Sequence, residues 1–188
     1  MFGHLCLNII FLRLNQKTEM IIGIGGVSRA GKTSLAMLIQ NWFGKDQVKI
    51  LHQDDYIQPI DKMPNIDGHT DWEHPLSYDF IGLQKAIKRE RKHFKIIIVE
   101  GLLVFASGQL VKLFDKCMFL KINKETFLSR KTLDNRWGEE PDWYIEHIWN
   151  SHFIFGGIPY GLQNVLQLDG DAGFVDEIVQ SYIKQEIK

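Results

Sequence analysis

The run MIIGIGG (Met20–Gly26) passes directly into Val27-Ser-Arg-Ala-Gly-Lys-Thr33 and then into a helical pattern. Few junctions restrict a fold more. Gly26 to Thr33 fits GxxxxGK[ST], in which glycines let successive backbone N–H groups turn inward around phosphate oxygens. Such a loop works between a buried strand and a helix N-terminus, whose positive end faces the phosphates. Both flanks are present: an apolar strand before it, and KTSLAMLIQNWF (Lys32–Phe43) after it, with Leu35, Leu38, Ile39 and Trp42 at helical spacing. The expected nucleotide contacts are Gly26, Ser28, Ala30, Gly31, Lys32, Thr33 and Ser34. Lys32 brings a point charge to the outer phosphates, and the Thr33 hydroxyl is a magnesium ligand.

The rest of the chain continues the alternation. VKIL (Val48–Leu51) reads as a second strand, followed at its C-terminal end by HQDDY. Pro59 to Pro75 lacks periodicity and reads as an irregular loop. SYDFIGLQKAIKRERKHF (Ser77–Phe94) is predicted to be a helix with a basic outer face. KIIIVEG (Lys95–Gly101) is apolar up to its acid, as a central strand would be. CMFLKI (Cys117–Ile122), a helix from Lys124, a helix after Pro141, VLQLD (Val165–Asp169) and a last helix from about Ala172 complete the pattern. Strands separated by helices predict an α/β fold of three layers, a parallel sheet flanked by helices. Ligands in such sheets bind beyond the C-terminal strand ends. Gly26–Thr33, Asp54–Asp55 and Glu100 therefore fall along one edge.

Composition bounds the partners. The 188 residues suit one domain, here residues 20–188, with a lid at about 130–143. Lys plus Arg (22) nearly balance Asp plus Glu (23), so no global field favours nucleic acid or an anionic membrane. A monomer or small homo-oligomer acting on a small molecule is expected. Cys6 and Cys117 form no CxxC pair, which fits a reducing cytoplasm, and the seven histidines show no metal-ligand spacing. Residues 1–19 differ in character: their apolar part is short and broken by Asn8 and Arg13, without a basic start or small-residue cleavage site. They are expected to be a dispensable extension.

Several residues carry chemistry. Glu100 ends an apolar strand, where a carboxylate needs a compensating cation or donors; magnesium or its water would supply that. Asp54 and Asp55 follow the second strand, and only one of two adjacent extended residues can face the phosphates. Asp54 is the expected acceptor of a hydroxyl proton. Arg130, Lys131 and Arg136 lie on or just after the helix from Lys124 and could close over a transferring phosphate. Tyr56, beside Asp54, is the expected stacking partner for a flat substrate ring.

Together these segments resemble the nicotinamide riboside kinase and uridine kinase group of P-loop kinases. The resemblance runs through GIGGVSRAGKTSLA, QDDY, DWEHPLSYDF, IIIVEGLLVF and FLKI with its following basic helix. The EPDWYIEHIW segment is closer to the nicotinamide riboside kinases, and DWEHP is shared with the uridine kinases. The resemblance implies a nucleoside-monophosphate-kinase-like fold with a short lid, ATP and Mg²⁺ as cofactors, and γ-phosphate transfer to a riboside 5′-hydroxyl. It makes Asp54 the acceptor base, Glu100 the magnesium-linked acid and Arg130 a lid residue. It assigns the ribose hydroxyls to the acid of DWE, usually Asp and here Glu73. Lys131 stands where the nicotinamide riboside kinases usually carry Arg, which removes a planar two-pronged donor. Nicotinamide riboside is the expected acceptor and uridine or cytidine the alternative. A nucleotide-dependent switch, with no acceptor site, is the alternative of another class.

Overall fold

The computed structural model describes residues 20–134, 138 and 140–185. The extension 1–19, with Cys6, and the predicted lid residues Arg136 and Trp137 lie outside the described residues. The strands are β1 (Met20–Gly26), β2 (Val48–His52), β3 (Asn65–Ile66), β4 (His69–Thr70), β5 (Ile96–Glu100), β6 (Lys116–Lys121) and β7 (Val165–Asp169). The helices are α1 (Lys32–Phe43), α2 (Phe80–Glu90), α3 (Gly108–Val111), α4 (Lys124–Thr132), α5 (Asp142–Ser151) and α6 (Asp176–Lys184).

Five strands form a parallel sheet in the order β2-β5-β1-β6-β7. The strand expected to be central, β5, is paired on both sides, but the middle position belongs to β1. Successive side chains point to opposite faces. Ile22, Ile24, Ile96, Ile98, Met118 and Leu120 pack into one core with Leu35 and Ile39 of α1 and Tyr144 and Ile148 of α5. Ile21, Ile97, Val99 and Phe119 pack on the other face with Leu83 and Ile87 of α2. This is the predicted three-layer arrangement. Among the described residues no helix is long and apolar enough to cross a membrane.

Helix starts were the less legible part. Ser77 belongs to a short 3-10 turn (Pro75–Ser77) and α2 begins only at Phe80, because the Asp79 carboxylate caps it by accepting from Gly82 N–H at 2.9 Å. The last helix likewise starts at Asp176 rather than Ala172. The Pro59–Pro75 loop contains a minimal antiparallel hairpin, β3 with β4, turned by Asp67 and Gly68 at positive φ.

Candidate active site

β1 delivers the phosphate-binding loop where it leaves the sheet. Gly26 has φ 140, and a Cβ there would lie 2.3 Å from the Leu120 carbonyl oxygen of the neighbouring β6, so only glycine allows the strands to stay paired. Gly31, at φ 97, ends the loop and starts α1. Ser28, Gly31, Lys32, Thr33 and Ser34 line a cavity of about 870 Å³. Gly26 and Ala30 are buried and do not line it, and Ala30 N–H bonds the Val27 carbonyl at 3.2 Å. The Lys32 ammonium folds back to donate to the Val27 carbonyl at 3.0 Å.

Strand parity explains the next group. Glu100 shares the face of Ile96 and Ile98, the face covered by α1, so its carboxylate meets the first turn of that helix. Thr33 Oγ1 donates to Glu100 Oε1 at 3.0 Å. His52, register partner of Glu100 across β2 and β5, places Nδ1 2.6 Å from the same oxygen. A carboxylate only accepts, so Nδ1 carries the hydrogen. His52 was not foreseen; the register of two parallel strands brings it there. The next residue, Gln53, is buried, and its Oε1 accepts from Leu103 N–H at 2.9 Å, pinning the turn after β5.

Asp54 lines the cavity and Asp55 does not; the two lie in a short 3-10 turn (Gln53–Asp55) rather than on the extended chain that the sequence suggested. Enclosure by protein raises the Asp54 carboxyl above its ordinary value, with the Lys32 charge opposing that rise and Glu100 adding to it. Glu73 is 8% exposed and lines the same cavity, and among the described residues its Oε2 has no hydrogen-bond partner. Burial pushes its carboxyl up to about 8, against the pull of Lys131.

Tyr56 is a correction. Its side chain packs on the opposite sheet face, in the core covered by α2, and it does not line the cavity. The aromatic walls are Trp72, Tyr78 and Tyr144, with His69 beside them. Trp72 adjoins Glu73 in DWE, which was the available signal; Tyr144 lies in EPDWYIEHIW, which the sequence alone does not place in a cavity wall. From α4, Arg130 spans two backbone carbonyls, donating to Arg29 O at 3.0 Å and Gly170 O at 2.9 Å. It thereby ties the phosphate loop to the turn after β7. Lys131 is buried and paired with Glu140 Oε2 at 2.5 Å. Both cations line the cavity.

The donor set suits Mg²⁺. Thr33 and Glu100 offer hard oxygens beside the phosphate loop, and Mg²⁺ commonly takes one or two such protein ligands plus phosphate oxygens and water. Among the described residues no group of three or more His, Cys, Asp or Glu forms a separate metal cluster.

A parallel sheet of this order with a phosphate loop at the end of its middle strand is the fold of the P-loop kinases. The chain superposes on thymidylate kinase from Candida albicans with a TM-score of 0.52 and 13% identity, covering 89% of this chain and 90% of that one. It superposes on shikimate kinase from Aquifex aeolicus with a TM-score of 0.51 and 16% identity, covering 87% and 94%. In sequence it is similar to uridine kinases and nicotinamide riboside kinases. A uridine kinase of Chlamydia pneumoniae is 30% identical over 138 residues, which are 60% of this chain and 62% of that kinase. Human nicotinamide riboside kinase 2 is 25% identical over 151 residues, covering 70% of this chain and 65% of that protein. The chain thus spans somewhat less than two thirds of the length of these relatives. No protein family profile matches it.

Proposed function

We propose that this protein is an ATP-dependent kinase that transfers the γ-phosphate to the 5′-hydroxyl of a riboside. One observation carries the reading: a single cavity joins the phosphate loop to Asp54, to the buried Glu73 and to aromatic walls. A nucleotide switch would have no use for the acceptor half of that cavity.

In this reading Lys32 and the loop N–H groups hold the phosphates in line with the acceptor. Thr33 and Glu100 would hold Mg²⁺, which when bound neutralises charge on the phosphate oxygens. Asp54 accepts the acceptor's hydroxyl proton as its oxygen bonds to phosphorus and the bond to the departing ADP breaks. Glu73 holds the ribose hydroxyls, and Trp72, Tyr78 and Tyr144 offer faces for the base. Arg130, once released from its carbonyl partners, neutralises the transferring group.

Nicotinamide riboside is our preferred acceptor, supported by the place of Tyr144, from the segment resembling those kinases, in the cavity wall. Uridine is the second reading, supported by the similarity to the Chlamydia pneumoniae enzyme.

ADP release measured across ribosides, with and without Mg²⁺, tests the proposal. Asp54→Asn is expected to lower kcat by about a hundredfold or more while ATP binding persists. ADP release that no riboside stimulates would overturn the kinase reading, and faster turnover of uridine would reverse the acceptor order.

A further inference from the structure

Helix α5 grips the acceptor segment from behind the cavity. Tyr144 and His147 are three residues apart and therefore share a helix face. The Tyr144 hydroxyl donates to the Thr70 carbonyl at 3.1 Å and accepts from Trp72 N–H at 3.2 Å. His147 Nε2 lies 2.8 Å from Asp71 Oδ1, the same oxygen that accepts Glu73 N–H at 3.0 Å. One turn further along α5, the buried Ser151 hydroxyl lies 3.3 Å from the His147 ring nitrogens. Asp71 is only 6% exposed. Neither Asp71 nor His147 lines the cavity, whereas Trp72 and Glu73 do.

Glu73 needs such support. Among the described residues its Oε2 has no partner, so none of them holds that oxygen by a hydrogen bond. The aim of the carboxyl is set largely by the backbone at Trp72 and Glu73. Each of those two N–H groups is bonded: one directly to an α5 side chain, the other to a carboxylate that an α5 side chain holds.

We infer that His147 is a positioning residue for the acceptor: through Asp71 it fixes the main chain of Glu73 and so directs that buried carboxyl into the cavity. The inference rests on the reading of Glu73 as an acceptor ligand. A buried carboxylate that loses one of its two donors reorients, and the N–H it still holds moves with it.

Two readouts test this in parallel. In steady-state kinetics with uridine and with nicotinamide riboside, His147→Ala should raise the riboside KM about tenfold and leave the ATP KM within about twofold. His147→Gln, whose amide N–H can reach Asp71, should return the riboside KM to within about threefold of the parent value. Asp71→Ala, which removes the shared acceptor, supplies the same comparison from the other partner should His147→Ala fail to fold. In hydrogen exchange, the Glu73 amide should exchange about tenfold faster in His147→Ala, while the Trp72 amide, held by Tyr144, and the amides of β1 and β5 change little. An unchanged riboside KM, or an ATP KM rising in step with it, would overturn the inference. So would unaltered exchange at Glu73. If the parent protein phosphorylates no riboside, the kinase reading fails instead, and the exchange result still decides the positioning role.

Discussion

Glu73 sits in its pocket at a cost. Burial lifts its carboxyl to about 8, while the unfolded chain titrates near the ordinary glutamate value of about 4.3. Between those two values the folded protein holds a proton that the unfolded chain has released. Stability of the ligand-free protein should therefore fall as pH rises through that window and level off above it. The contribution of this one group is about 1.4 kcal/mol per pH unit. Glu73→Gln removes the contribution, so its stability relative to the parent should improve steadily from about pH 5 to about pH 8 in urea denaturation. Parallel curves for the two proteins would refute this account. At this scale the sequence disclosed residue types better than directions. Glu100 was legible because it ends a strand whose alternation fixes where it points, and Asp54 because it follows a strand end that opens on the ligand edge of the sheet. Tyr56 was misread because the short 3-10 turn at Gln53–Asp55 rotates the chain, sending its ring to the opposite core. Trp72 and Tyr144 reach the cavity through tertiary contacts that no local pattern records.

Among the elements, the five strands of the parallel sheet were read nearly to the residue, because an apolar run has one stable use there, whereas the short β3–β4 hairpin was read as irregular loop. Helix ends were read less well, because a cap is a local competition among polar side chains. Asp79 caps α2, and Ser77, where the helix was expected to begin, is buried with its hydroxyl donating to the Asp71 carbonyl. The helix most exposed to such an effect in the site is α4, which carries Arg130 and Lys131 in its last turn. Asn123 caps it, its side-chain oxygen accepting from Thr126 N–H at 2.8 Å. Asn123→Ala should cost about 1 kcal/mol in urea denaturation, with Asn123→Ser recovering most of it. Equal losses in the two variants would show that Asn123 acts by something other than capping.

For the molecule as a whole, binding at the phosphate loop is coupled to folding, since the loop exists only where β1, β6 and α1 meet. Mg²⁺ with ATP at about a hundred times its dissociation constant should add about 2.7 kcal/mol of stability. In a chain of this size that corresponds to a rise of roughly 5–10 °C in the thermal midpoint. Chelating the metal should remove most of the shift, and Lys32→Ala nearly all of it. A midpoint indifferent to nucleotide would argue against a phosphate site. The sheet's class was readable from alternation alone. Its strand order was not, because which strand inserts beside β1 is decided by packing on both faces at once.

The pairing of His52 and Glu100 across β2 and β5 has a bearing on how this chain can change over generations. Adding or deleting one residue within Ile96–Glu100 would turn the Glu100 carboxylate away from Thr33 and toward the opposite core. A point substitution in that strand alters one side chain, whereas a change of length inverts all those beyond it. The loop from Pro59 to Met63 carries no such register and has mostly exposed residues, so it is free to lengthen or shorten. Insertions and deletions that survive in descendants of this gene should therefore gather in that loop and spare β5.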